Sequence, residues 1–239
     1  MIIEIHGSKS AIQKCLMHIE QLPNGFRPLY FSENETGVDK VSNRYSDTTR
    51  FEDFKSENPL GYFLHSESCM IDVSFDGDRS SVFFDVKKKK AIVDIPKLME
   101  CFSIDGIHYA IACEWEEWRY RNGLVKAFGS STVENWIGRD YTKYLPGVYW
   151  LNLIPNSLFS KLGINKEKIV GSAYFSQRFN DSFYLIKMFE FPQDWQDYAP
   201  NLDDLCEQDN GIFSKWGIWD ELQLIDDQKS YLLECQKYP

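Results

Sequence analysis

The chain has 239 residues, 43% of them hydrophobic and 15% aromatic, with 26 Lys and Arg against 36 Asp and Glu, for a formal net charge of -10. This composition lies far from that of disordered chains, and the length allows one sizeable core, so a single folded domain spanning 1–239 is expected. The negative balance argues against a nucleic-acid partner, which needs a basic face to neutralise phosphates.

From the amino end, MIIEI predicts an opening strand, and SKSAIQKCLMHIEQL predicts a helix. Ile12, Leu16, Ile19 and Leu22 recur at helical spacing, with Ser8 or Ser10 placed to cap it. FRPLYF reads as a second strand, and residues 32–58 as an irregular polar segment with one short helix near Phe51 to Lys55. GYFLHS, CMIDVSFDG and SSVFFDVK alternate with period two around turn signals, the pattern of an antiparallel meander. The basic run Lys87 to Lys90 reads as a solvated turn between strands, since no aromatic residues interleave it.

IPKLMECF predicts a helix over Pro96 to Phe102, with proline in its first turn. HYAIAC predicts a strand, and EWEEWRYRNG a short amphipathic helix ended by Gly123, with Glu114, Glu116 and Glu117 on a solvated edge. In YLPGVYWLNLIP, Pro146 and Gly147 suit a tight turn, Val148 to Ile154 a core strand, and Pro155 its end. NSLFSKLG predicts a helix capped by Asn156 and stopped by Gly163. IVGSAYFSQRF and DSFYLIKMFEF read as two strands joined through Asn180 and Asp181. The tail, with NLDDLCEQ, GIFSKWGIW and DQKSYLLECQ, reads as short helices and turns. Strands in clusters with helices at intervals predict an α+β fold: antiparallel sheet with helices packed on one face.

The chemistry-bearing residues do not form a recognisable catalytic set. His6, His18, His65 and His108 are dispersed, and Cys15, Cys69, Cys101, Cys113, Cys206 and Cys235 lack paired metal-ligand spacing. They read as core thiols and partly exposed imidazoles, so no metal and no cofactor is expected. No nucleophile elbow, phosphate loop or HExxH run occurs. An enzymatic alternative would have to gather an unusual set such as His108, Glu114 and Asp140. No run approaches the roughly eighteen apolar residues of a membrane span. The start, MIIEIHGSKS, has neither a basic region nor an apolar leader core, which predicts a cytoplasmic protein without a membrane partner.

The stretch IGRDYTKYLPGVYWLNLIPNSLFSKLGI, residues 137–164, resembles bacterial immunity proteins that protect against type VI secretion and other polymorphic toxins. The resemblance rests on Leu145, Pro146, Gly147, Tyr149, Trp150 and Asn152 with the short helix that follows, and extends to FPQDWQDY at 191–198. These six residues look structural in such families. The resemblance implies a non-catalytic inhibitor that binds a cognate secreted toxin, a nuclease being one candidate class, and occludes its active site. A regulatory binding module without a toxin partner is the other non-enzymatic reading.

Charge is unevenly distributed in a way that fits an inhibitor. Residues 188–239 hold twelve acids and three bases, which leaves the preceding 187 residues almost neutral. Between Lys187 and Lys215 there are seven acids and no lysine or arginine, with Trp195 and Tyr198 among them. Carboxylates steer a basic partner and a ring anchors it, so Asp194, Trp195, Asp197, Tyr198, Asp203 and Asp204 are the candidate partner-binding residues.

Overall fold

The computed structural model describes residues 1–17, 21–122, 125–128, 131–134, 144–145, 147–208 and 211–212. Its centre is a nine-stranded antiparallel sheet. The strands are β1 (Ile2–Gly7), β2 (Pro28–Ser32), β3 (Gly61–Ser66), β4 (Cys69–Ser74), β5 (Ser80–Val86), β6 (Ile107–Cys113), β9 (Leu151–Pro155), β10 (Phe175–Phe179) and β11 (Phe183–Lys187), in the order β10-β11-β9-β6-β1-β5-β4-β3-β2. A separate two-stranded ribbon joins β7 (Val125–Phe128) and β8 (Ser131–Glu134). The opening strand takes the middle of the sheet, between β5 and β6. The expected meander is present as β3, β4 and β5.

Register shows how the alternating sequence divides between two faces. Phe31, Leu64, Ile71, Phe84, Ile3, Ala112 and Leu151 are successive cross-strand partners on one face, and all are buried. Three helices cover this face: α1 (Lys9–Met17), α2 (Thr48–Glu57) and α3 (Ile95–Cys101). Ser8 caps α1 by accepting from the Ala11 N–H at 3.3 Å. The α2 residues Phe51 and Phe54 pack against Phe31 and Tyr62, and Phe102, just after α3, meets Phe84 edge-on.

The helices do not stay on one face. From α4 (Trp115–Asn122), Trp118 lines a groove with Glu4, His6, Asp72 and Phe83 of the opposite face. From α5 (Asn156–Leu162), Phe159 meets Tyr184 there as well. This face is half-open over β3 to β5 and buried over β6, β9 and β11, where Ile111, Asn152 and Ile186 stand in register. Two short connections, β6 to α4 and β9 to α5, carry the chain directly onto it.

Other local expectations need correcting. Lys87 to Lys90 lead from β5 into a 3-10 turn and α3, not into another strand, although Lys88 and Lys90 are exposed and share Glu67 at 2.7 and 3.2 Å. Asn156 is the first residue of α5 rather than its cap, its N–H donating to Ser182 C=O. Gly163 does end that helix, at φ 70°. Ile169 to Gly171 belong to α6 (Lys166–Gly171), which Asn165 caps, so the hairpin strand begins only at Phe175. Asn180 and Asp181 supply the expected turn, with φ of 46° and 55°. His18, Pro146, Gly123 and the tail segments beyond 212 lie outside the described residues.

Candidate partner-binding surface

The YLPGVYWLNLIP stretch is structural core. Tyr149 and Trp150 are both buried, but they precede the strand, which starts at Leu151. The cause is Asn152, which is wholly buried. Its Oδ1 accepts from the Tyr149 N–H at 3.0 Å and its Nδ2 donates to the Tyr149 C=O at 2.8 Å. A side chain thus occupies the backbone groups a ladder would have used, and the chain curls before pairing begins. Tyr109 fastens the curl, its hydroxyl lying 2.8 Å from the Gly147 C=O and 3.2 Å from Asn152 Oδ1. Gly147 has φ 121°, a conformation that favours glycine.

The acidic segment continues from this core through Met188, whose N–H donates to the Trp150 C=O. Its main element is α7 (Trp195–Glu207), entered by a 3-10 turn at Pro192–Asp194. The helix begins six residues before NLDDLCEQ and runs through Pro200. Its buried stripe of Ala199, Leu202, Asp203 and Cys206 recurs at i, i+3, i+4 and i+7, and packing of that stripe offsets the lost proline hydrogen bond.

Of the six predicted contact residues, the helix turns some out and one in. Asp197, Tyr198 and Asp204 are exposed, and Asp194 and Trp195 are half-buried. Trp195 leans on Tyr120 of α4, ring centroids 5.3 Å apart. Asp203 is not available to a partner: it is buried, its Oδ1 accepting from Arg121 Nη1 at 3.0 Å and its Oδ2 from the Tyr120 hydroxyl at 2.7 Å. Its charge is therefore compensated from α4, outside the segment that looked uncompensated in sequence.

Arg121 also donates through Nε to Glu117 Oε1 at 3.2 Å and lies over the Tyr149 ring at 5.8 Å. Glu117 is fully buried, which corrects the expected solvated edge for this one of the three glutamates. Burial pushes its carboxyl up to about 7, with Arg121 pulling the other way. Burial by itself would lower the Arg121 guanidinium, but Glu117, Cys206 and Asp203 outweigh it and leave it above its ordinary value. The network Glu117, Arg121, Asp203 and Tyr120 fastens α7 to α4.

Three rings in or before the acidic segment are exposed, of which the charge pattern pointed only to Tyr198. Tyr198 stacks on Phe189 at 4.9 Å with planes 9° apart and remains 40% exposed. Phe191 is 48% exposed and Tyr174 58%. Glu190 raises the Tyr174 phenol, chiefly by its charge, and Tyr198 adds to it, which places the three side chains in one neighbourhood. Lys187 lies over the rings of Tyr174 and Trp150, at 5.4 and 5.7 Å. Phe191 was readable as an apolar residue beside a turn proline; Tyr174 required the hairpin's placement.

The dispersed histidines and cysteines of the sequence stay dispersed among the described residues. His108 lies near the start of β6 and Glu114 just past its end, roughly 20 Å apart at about 3.3 Å per strand residue, and Asp140 lies outside the described residues. Cys15 and Cys69 are buried, which pushes both thiols up to about 12, away from the thiolate needed for attack or ligation. Among the described residues no group of three His, Cys, Asp or Glu could hold a metal ion. Nor is any described helix long and apolar enough to cross a membrane. Comparison of the chain with protein-family models, with curated proteins and with solved structures returned no match.

Proposed function

We propose that the protein is a non-catalytic inhibitor of the immunity type, which binds a secreted toxin with a basic active cleft, such as a nuclease, and occludes it. The observation that carries this reading is the outer side of α7. Asp194 and Asp197 lie at the amino end of the helix, where carboxylates complement the dipole, so they have a structural use as well. Asp204 and Glu207 do not. They are exposed in the last turns, where negative charge opposes the dipole, and that end carries no basic residue. Acids placed at a cost to their own helix fit a surface shaped for a cationic partner, with Tyr198 exposed on another flank of α7. A nuclease cleft is basic because it holds phosphate, and Asp204, Glu207, Asp197 and Asp194 would meet that charge while Tyr198 and Phe191 supplied the desolvated contact.

The test is co-expression with the product of the adjacent gene. Co-purification of a stoichiometric complex, and loss of that product's toxicity or nuclease activity within it, is the expected result. An adjacent gene product that neither binds nor is inhibited would contradict the toxin reading and leave the surface to a regulatory partner.

A further inference from the structure

The nine-stranded sheet has two edges, and they are treated differently. At the β2 edge, residues 43–45 fold back over the strand: the Phe31 N–H donates to the Asn43 C=O at 3.1 Å and the Tyr45 N–H to the Leu29 C=O at 2.9 Å. At the other edge, β10 is exposed from Phe175 to Arg178 and half-buried only at Phe179. It ends the strand order, with no described strand beyond it. An open edge of this kind is a template for another strand.

Which groups face outward follows from the neighbouring ladders. The Ser182 C=O accepts from Asn156 and the Met188 N–H donates to Trp150, so the even-numbered positions of β11 point toward β9. The odd positions, Phe183, Leu185 and Lys187, therefore bond to their register partners Phe179, Gln177 and Phe175 of β10. That leaves the backbone N–H and C=O groups of Ser176 and Arg178 directed away from the sheet.

The sequence of this strand, FSQRF, is nearly a palindrome centred on Gln177. If a second copy of β10 is laid antiparallel against the first about a two-fold axis at Gln177, Ser176 faces Arg178 of the mate. Both are outward-bonding positions, so the two such pairs make four backbone hydrogen bonds. Phe175, which is 47% exposed, then faces Phe179 of the mate on the apolar side of the sheet, and no like charges stand opposite each other. Strand polarity, hydrogen-bonding parity, apolar pairing and charge all agree on one register.

We infer that β10 is a self-association edge, through which two copies of this chain pair about Gln177 into one continuous sheet. A two-fold interface of this type is self-complementary by construction. The inference does not rest on the proposed partner surface of α7, since it concerns the sheet edge and a second copy of this chain.

Sedimentation and light scattering of the full chain across about 1 to 100 µM are expected to show a dimer. Gln177→Lys sets two ammonium groups face to face on the axis and should give a folded monomer, with its melting transition retained. Ser176→Pro removes an outward N–H alone and should do the same. Gln177→Cys should form an intermolecular disulfide on mild oxidation, because the central non-hydrogen-bonded pair brings Cα atoms to about 4.5 Å. Ser176→Cys, facing Arg178 of the mate, should not. A parent chain that is monomeric throughout this range overturns the inference. So does a dimer that survives Gln177→Lys, or cross-linking of Ser176→Cys as efficient as that of Gln177→Cys.

Discussion

Asp203 and Asp204 are neighbours in the chain and opposites in circumstance. Asp203 is buried beneath Arg121 and Tyr120, and its carboxylate is part of what fastens α7 to α4. Asp204, one residue further around the helix, is exposed at a position where its charge opposes the helix dipole. The same division separates the rings: Trp150 and Tyr149 fill the core, while Tyr198 and Phe191 stand outside it. The comparison shows that acidity along a segment is not one property. A helix sorts its acids into those that build the molecule and those left for something else, and the latter alone bear on a partner.

The largest effects should fall on the inner side. Asp203→Ala leaves Arg121 buried without half of its compensation and is expected to cost about 3–5 kcal/mol in urea unfolding. Asp204→Ala should change stability by less than about 0.5 kcal/mol. Equal costs for the two would erase the distinction. The ring pair sharpens it: Trp150→Ala should lose about 3–5 kcal/mol as a large-to-small core change, and Tyr198→Ala distinctly less. A melting temperature for Trp150→Ala equal to that of the parent would remove Trp150 from the core.

A smaller effect should appear in pH. Glu117 is raised from its ordinary 4.5 to about 7 by burial, so the folded state holds a proton that the unfolded state has released over that interval. The associated stability is fully present below about pH 4.5 and is lost as pH rises through about 7, an effect on the order of a few kcal/mol at most. Thermal melts from pH 5 to 8 should fall in the parent and flatten in Glu117→Gln. Parallel pH profiles for the two chains would show that Glu117 does not titrate in this window.

Much of the sheet was legible because its signals are local. The alternation in SSVFFDVK, the Asn180-Asp181 turn and the Gly163 stop each act over a few residues, and each appears in place. The candidate surface was legible only in part. Asp203 lies four residues from Ala199 and three from Cys206, on the apolar stripe of a helix, and that spacing already assigns it to the inner side. Pro200 interrupts that pattern in the sequence, because an interior proline ordinarily ends or kinks a helix. Glu117 and Arg121 stand at i and i+4 with Trp118 between them, a pairing that reads equally well as a solvated ion pair until α7 is known to cover it. The curl at Tyr149 depended on a buried asparagine bonding to the backbone three residues earlier, which no strand pattern reveals.

We propose that the outer acids of α7 meet a basic partner. Association kinetics with the product of the adjacent gene, at low and high salt, decide it for a variant carrying Asp194→Lys, Asp197→Lys and Asp204→Lys. Asp203 is left unchanged so that the fold is retained. The parent association rate should fall steeply with salt, and the variant should associate at least tenfold more slowly at low salt with little salt dependence. A folded variant that associates at the parent rate at both salt concentrations would contradict it.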